Sequence, residues 1–156
     1  MSGTELVTPT DRHPIRGRLA DLAAHAGIEP RRLTDVYSGA PTIDLDDPVD
    51  LDPSAAAVLL GALAAGDTAL RELDPAQPRV LWPVHFDVGI TVDRINYGVS
   101  PGDALIGSPY AYVGPWEIPA GEFWNQPFGA ALPVGDATDP ATILDFFRTG
   151  RTQAER

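Results

Sequence analysis

From Arg79 to Asp93 every even-numbered residue is apolar: Val80, Trp82, Val84, Phe86, Val88, Ile90 and Val92. Side chains alternate between the two faces of a strand, and a helix, repeating every 3.6 residues, does not sustain a period of two. The run predicts one long strand in a sheet with a single buried face. Ile95, Tyr97 and Val99 resume the alternation after Asp93-Arg94. A hairpin with that pair at its tip sets Val92 opposite Ile95, Ile90 opposite Tyr97 and Val88 opposite Val99. The same register sets Thr91 by Asn96, Gly89 by Gly98 and Asp87 by Ser100, so one face comes out apolar and the other polar. The tip lacks the Asn-Gly or Asp-Gly that two-residue turns favour, which leaves a longer loop of the same parity open. Ser100-Pro101-Gly102-Asp103 reads as a tight turn. Tyr110 to Ile118 reads as a further strand, with Tyr110, Tyr112 and Trp116 on one side and Ala111, Val113 and Glu117 on the other.

Helical patterns bracket this centre. Ile15, Leu19, Leu22, Ala23 and Ala26 recur at helical spacing from about Pro14, and Gly27 and Pro30 end the pattern. Residues 31–52 read as an acidic surface loop. Asp52-Pro53 opens a second helix to about Leu73, because Asp caps well and Pro at the first helical position gives up only an amide that had no partner. Leu59, Leu60, Leu63, Leu70 and Leu73 mark its buried side, and Gly61 and Gly66 predict close approach of a neighbour. Asp139-Pro140 opens a short last helix that docks through Ile143, Leu144, Phe146 and Phe147 and ends at Gly150. The layout is α+β: an antiparallel β-meander packed by two N-terminal helices and a short C-terminal helix. It is expected as one domain over 1–156, with flexible tails at 1–13 and 151–156.

Charge narrows the partners. Acidic residues number 22 against 11 basic, the formal net charge is -11, and every basic residue is Arg. Such a chain repels phosphate backbones and anionic lipid, so neither nucleic acid nor a membrane is an expected partner. With no Cys, disulfide scaffolds, thiolate metal sites and cysteine nucleophiles are excluded. The first 17 residues lack a basic, then apolar leader pattern, and uncharged apolar runs fall short of the roughly 20 residues that span a bilayer, so the expected location is cytoplasmic.

His85 and Asp87, two apart on the expected strand, would point the same way about 7 Å apart, with Ser100 across from Asp87. That arrangement suits proton transfer or part of a metal site, and makes the pair the catalytic candidates. A facial triad for ferrous iron fails, because in that pattern the second His follows, whereas His13 and His25 precede. Glu117 could complete a His-Asp-Glu set, although no spacing demands it. The plain alternative is a solvated polar face. Nine of the 12 aromatic residues fall between Trp82 and Phe128, enough to wall a ligand pocket. Tyr112, Trp116, Trp124 and Asn125, with Asn96 and Ser100 on the polar face, are the candidate ligand contacts. For Trp116 and Trp124, packing as loop plugs is the competing use. The acidic run 44–52 is not an EF-hand, since its sixth place is Val49 and its twelfth Ala55. No Gly-rich phosphate loop, nucleophile elbow or zinc spacing is present.

The segments LWPVHFD, NYGVSPGD, PYAYVGPWE and FWNQPFGA resemble an uncharacterised family of high-GC actinobacteria over residues 15–133, and IDLDDPVDLDPSAAAVLLGALAAGDTAL resembles its central helix and lead-in. The resemblance implies no activity, metal or cofactor. The family pattern places a Gly-rich β region ahead of the first helix, so this chain reads as a short form that completes its sheet with a partner or second copy. It also commonly places Glu at the position of Val84, a departure beside His85.

Two readings follow. In the first, a small molecule is held by His85, Asp87, Asn96 and Ser100 and walled by Tyr112, Trp116 and Trp124. In the second, the aromatic loops and an open sheet edge dock a partner protein or another copy, with no catalysis.

Overall fold

A computed structural model describes residues 3–30, 44–135 and 139–155. The chain divides into two compact units, Met1–Ala57 and Val58–Arg156, where length alone suggested one domain.

In the first unit, β1 (Glu5–Val7) pairs antiparallel with β2 (Arg12–Pro14), and β3 (Arg16–Arg18) with β4 (Pro48–Asp50). The expected first helix therefore shrinks to α1 (Leu19–His25), because residues 12–18 are extended and Gly17 takes φ 100. Residues 5–13, within the expected tail 1–13, form a hairpin with Pro14 instead. Gly27, at φ 66, ends α1 as expected. Arg18 bonds both Asp21 (3.1 Å) and Asp46 (3.3 Å), and residues 48–50 of the expected acidic loop pair with 16–18 as a strand. The remainder of that expected loop, 31–43, lies outside the described residues.

The long helix α2 (Pro53–Leu73) has the predicted bounds. Asp52 caps it by accepting from the amides of Ser54 (2.8 Å) and Ala55 (3.4 Å). By length and composition α2 could cross a membrane. Its second half instead places Ala69 and Leu70 in the core, and Asp67 bonds Arg71 and Arg79 at 2.7 Å each. Of its glycines, Gly66 meets Val99 so closely that a Cβ would collide, whereas Gly61 faces open space.

The second unit is built on a five-stranded antiparallel sheet in sequential order: β5 (Val80–Trp82), β6 (Asp87–Val92), β7 (Ile95–Ser100), β8 (Tyr110–Pro115) and β9 (Ala130–Pro133). The β6–β7 register matches the expected one pair by pair, from Val88 opposite Val99 to Val92 opposite Ile95. Asp93 (φ 51) and Arg94 (φ 65) make the two-residue turn even without glycine.

The long alternating run is not one strand. It folds back at 83–86 into a hairpin, with Trp82 opposite Asp87, Leu81 opposite Val88 and Val80 opposite Gly89. Pro83 has no amide to give a ladder, the Phe86 amide donates to the Trp82 carbonyl at 2.7 Å, and Phe86 takes φ 53. Paired residues share a face, so Val80 and Trp82 lie on the side of Asp87 and Gly89, opposite to Val88 and Ile90. His85 accordingly sits in a turn rather than on a strand.

The core face carries Val88, Ile90, Val92, Ile95, Tyr97, Val99, Ala111 and Val113, all buried against Leu70 of α2 and Ile143, Leu144 and Phe147 of α3 (Pro140–Ala154). Tyr97 and Phe147 meet edge to face at 5.7 Å. Asp139 caps α3 by accepting from Thr142 N at 2.8 Å. Gly150 does not end this helix: it is buried where a Cβ would press on Val113, and the helix continues to Ala154 through part of the expected tail.

Candidate functional site

The second half of α2 and α3 cover one face of the sheet and leave the polar face to form a cleft. Over its centre the face is built from glycines and tyrosines. Gly98 and Gly89 lack the side chains that would lift the Tyr112 ring; a Cβ on Gly98 would fall 2.5 Å from Tyr112 Cζ and 2.7 Å from its Cε1. Tyr112 thus lies across the neighbouring strands and reaches Asp87 at the start of β6.

There its hydroxyl donates to Asp87 Oδ2 at 2.5 Å. Asp87 is only 7% exposed, and its other oxygen, Oδ1, is buried with no hydrogen-bond partner among the described residues. A desolvated carboxylate oxygen without a donor is costly, on the order of 1–3 kcal/mol or more. Burial first, then the hydrogen bond to Asp87 and its charge, push the Tyr112 hydroxyl far above the usual phenol range. It stays a proton donor to Asp87.

A second pair repeats the theme at the rim. Tyr110 donates to Asp103 Oδ2 at 2.6 Å, while Asp103 Oδ1 accepts from the amides of Leu105 (2.7 Å) and Ile106 (2.9 Å). Tyr110 is pushed up to about 12 by burial and then by this bond, and the same bond leads the set that lowers Asp103. Phe128 stacks on Tyr110 at 6.0 Å.

Around these pairs opens a cleft of about 560 Å³ whose lining includes His85, Asp87, Asn96, Ser100, Tyr112 and Trp116. A smaller one of about 210 Å³ shares Asp87 and Tyr112 with it and is walled by Trp82. Ser100 is buried, its Oγ accepting from Gly102 N at 3.2 Å; Asn96 Oδ1 accepts from Thr91 at 2.8 Å. Trp116 is 63% exposed at the mouth, with the Arg94 guanidinium 5.4 Å above its ring.

Two expected ligand contacts stand elsewhere. Trp124 packs on the core and against Phe123 edge to face at 5.0 Å. Asn125 exchanges hydrogen bonds with the Ala131 backbone at 2.9 and 3.1 Å and pins β9. Glu117 does not join His85 and Asp87 but pairs with Arg94 at 2.9 Å. Among the described residues no group of three or more His, Asp or Glu is placed to hold a metal ion.

Tyr110, Asp103 and Phe128 join the site without having been expected as ligand contacts. Tyr110 shares the parity of Tyr112, a signal that pointed to it; Asp103 and Phe128 reach the cleft from loops, where no periodicity operates. Chemically, the cleft presents carboxylate and hydroxyl oxygens as acceptors and aromatic rings as walls. Comparison with family models, with curated proteins and with solved structures finds no match.

Proposed function

We propose that this chain is a cytoplasmic small-molecule-binding protein whose ligand occupies the cleft on the polar face of the sheet. The observation that carries the reading is Asp87, a buried carboxylate with one oxygen lacking any donor among the described residues, at a cleft of about 560 Å³. That volume falls within the roughly 300–1,000 Å³ of ligand pockets, and the mixture of aromatic walls with a few convergent polar groups is their usual lining. His85, Asn96, Ser100 and Tyr112 orient the ligand; Trp116 covers it.

The test is a fragment screen by amide-resolved NMR. Compounds that bind should shift the resonances of Asn96, Ser100 and Tyr112 together, and a library whose hits all fall outside the cleft would reject the reading. His85 is exposed, so His85→Ala should weaken those hits while leaving the melting temperature within a few degrees.

A second reading has its own support in the edge strand β5, where Val80, Leu81 and Trp82 are each 39–50% exposed. Apolar side chains on an unpaired edge suit docking of another chain or a second copy. In that case acrylamide quenching of tryptophan should fall as protein concentration rises; an unchanged quenching curve would reject assembly.

A further inference from the structure

The charge inventory of the cleft is one-sided. Its lining holds two carboxylates, Asp87 and Asp103, against a single His, His85, and no Arg, and the chain contains no Lys. Arg94, over the Trp116 ring, is already paired with Glu117. Several donors around the cleft are already engaged, the Tyr112 and Tyr110 hydroxyls on the two carboxylates, the Gly102 amide on Ser100 and the Leu105 and Ile106 amides on Asp103, while His85 and the Asn96 amide line it as further polar groups. Among the described residues Asp103 has three donors, but Asp87 has one and forms no ion pair, and its Oδ1 is buried without a partner. A buried charge is tolerated when it is paired, and an incoming cation supplies the pairing. The rings of Tyr110 and Phe128 add faces of negative quadrupole, which attract ammonium and amidinium groups. The formal net charge of -11 raises the local concentration of any cation.

We infer that the ligand of this cleft is a small organic cation, an amine or amidine carrying an apolar group, whose charged nitrogen sits beside Asp87 while its apolar part lies between Trp116 and the Tyr110–Phe128 stack. The inference rests on the binding reading above and adds the charge of the ligand to it. Phosphorylated and carboxylate ligands are disfavoured by repulsion from the two carboxylates.

A matched series tests it: benzylamine, benzamidine, benzyl alcohol and benzoate, each titrated into the full chain with amide NMR as readout. Benzylamine and benzamidine should shift Asn96, Ser100 and Tyr112 saturably, at least tenfold more tightly than benzyl alcohol, and benzoate should leave them unmoved. Asp87→Asn keeps an acceptor for Tyr112 and removes the charge, so it should weaken benzylamine at least tenfold. If benzoate or benzyl alcohol binds the cleft as well as the amines, the cation inference falls and the binding reading stands. If no member shifts cleft residues, and the fragment screen also finds none, both fall. Should Asp87→Asn fail to fold, the charge series on the unaltered chain decides alone.

Discussion

Gly98→Ala puts the link between fold and site to the test. The added Cβ would stand 2.5 and 2.7 Å from Tyr112 Cζ and Cε1, so either the ring lifts or β7 shifts. Overpacking of this kind costs about 1–3 kcal/mol. Lifting the ring also breaks the bond to Asp87, and hydrogen bonds to charged groups contribute about 1.5–3 kcal/mol. Against this, alanine restricts the unfolded chain and recovers about 0.4–1 kcal/mol. The net expectation is a loss of about 2–5 kcal/mol, which at about 2–4 °C per kcal/mol for a chain of this size is a fall of several degrees or more. Urea unfolding followed by tryptophan emission is a suitable assay, since Trp82, Trp116 and Trp124 all lie in the unit 58–156 and report that unit alone. A cycle with Tyr112→Ala isolates the cause: with the ring gone, Gly98→Ala should cost at least about 1 kcal/mol less than it does in the parent. A Gly98→Ala variant within about 0.5 kcal/mol of the parent would refute the claim that the missing side chain makes room for Tyr112.

Tyr112→Phe keeps the ring and removes the only described donor to Asp87, so it should cost about 1–3 kcal/mol by urea titration; no loss would mean the pair is not formed in solution. Arg94→Gly relieves a left-handed residue worth about 1–2 kcal/mol but gives up an exposed pair with Glu117 worth about 0–1 kcal/mol and a cation–π contact with Trp116 worth about 0.5–1 kcal/mol, so the urea midpoint should change little, and a loss of more than about 1 kcal/mol would show that these contacts outweigh turn strain. Alkali supplies a further check. Tyr97 and Tyr110 are each raised to about 12, chiefly by burial, so their protonated forms favour the fold. That stability is fully present below the ordinary phenol value of 10.0 and is lost as pH climbs toward 12. Phenolate absorbance for these two should appear late, together with a falling urea midpoint; early titration with a flat midpoint would contradict the burial.

Features set by neighbours along the chain are legible in the sequence itself. The bounds of α2 and the start of α3 follow from Asp-Pro caps, and the β6–β7 register from strict alternation on both strands, because caps and period-two patterning are local physics. The polar face that holds Asp87, Asn96, Ser100 and Tyr112 follows from the same parity. The turn at 83–86 is hidden for a specific reason: apolar residues continue at even positions straight through it, so the pattern carries no break, and only the lack of a Pro83 amide marks where the ladder ends. That turn removes His85 from the strand and brings Trp82 round to the Asp87 face. Gly150 and Gly66 mislead or inform according to what packs on them, Val113 and Val99, which are distant in sequence. In the same way Asp103 and Tyr110 meet across a loop, and Trp124 and Asn125 turn to packing and to β9. Alternation and caps in the sequence determined the faces and register of β6 and β7 and the starts of α2 and α3; long-range packing alone decided which aromatic residues wall the cleft and left Asp87 buried with one oxygen unpaired among the described residues, because burial and partner choice depend on contacts that no local pattern encodes.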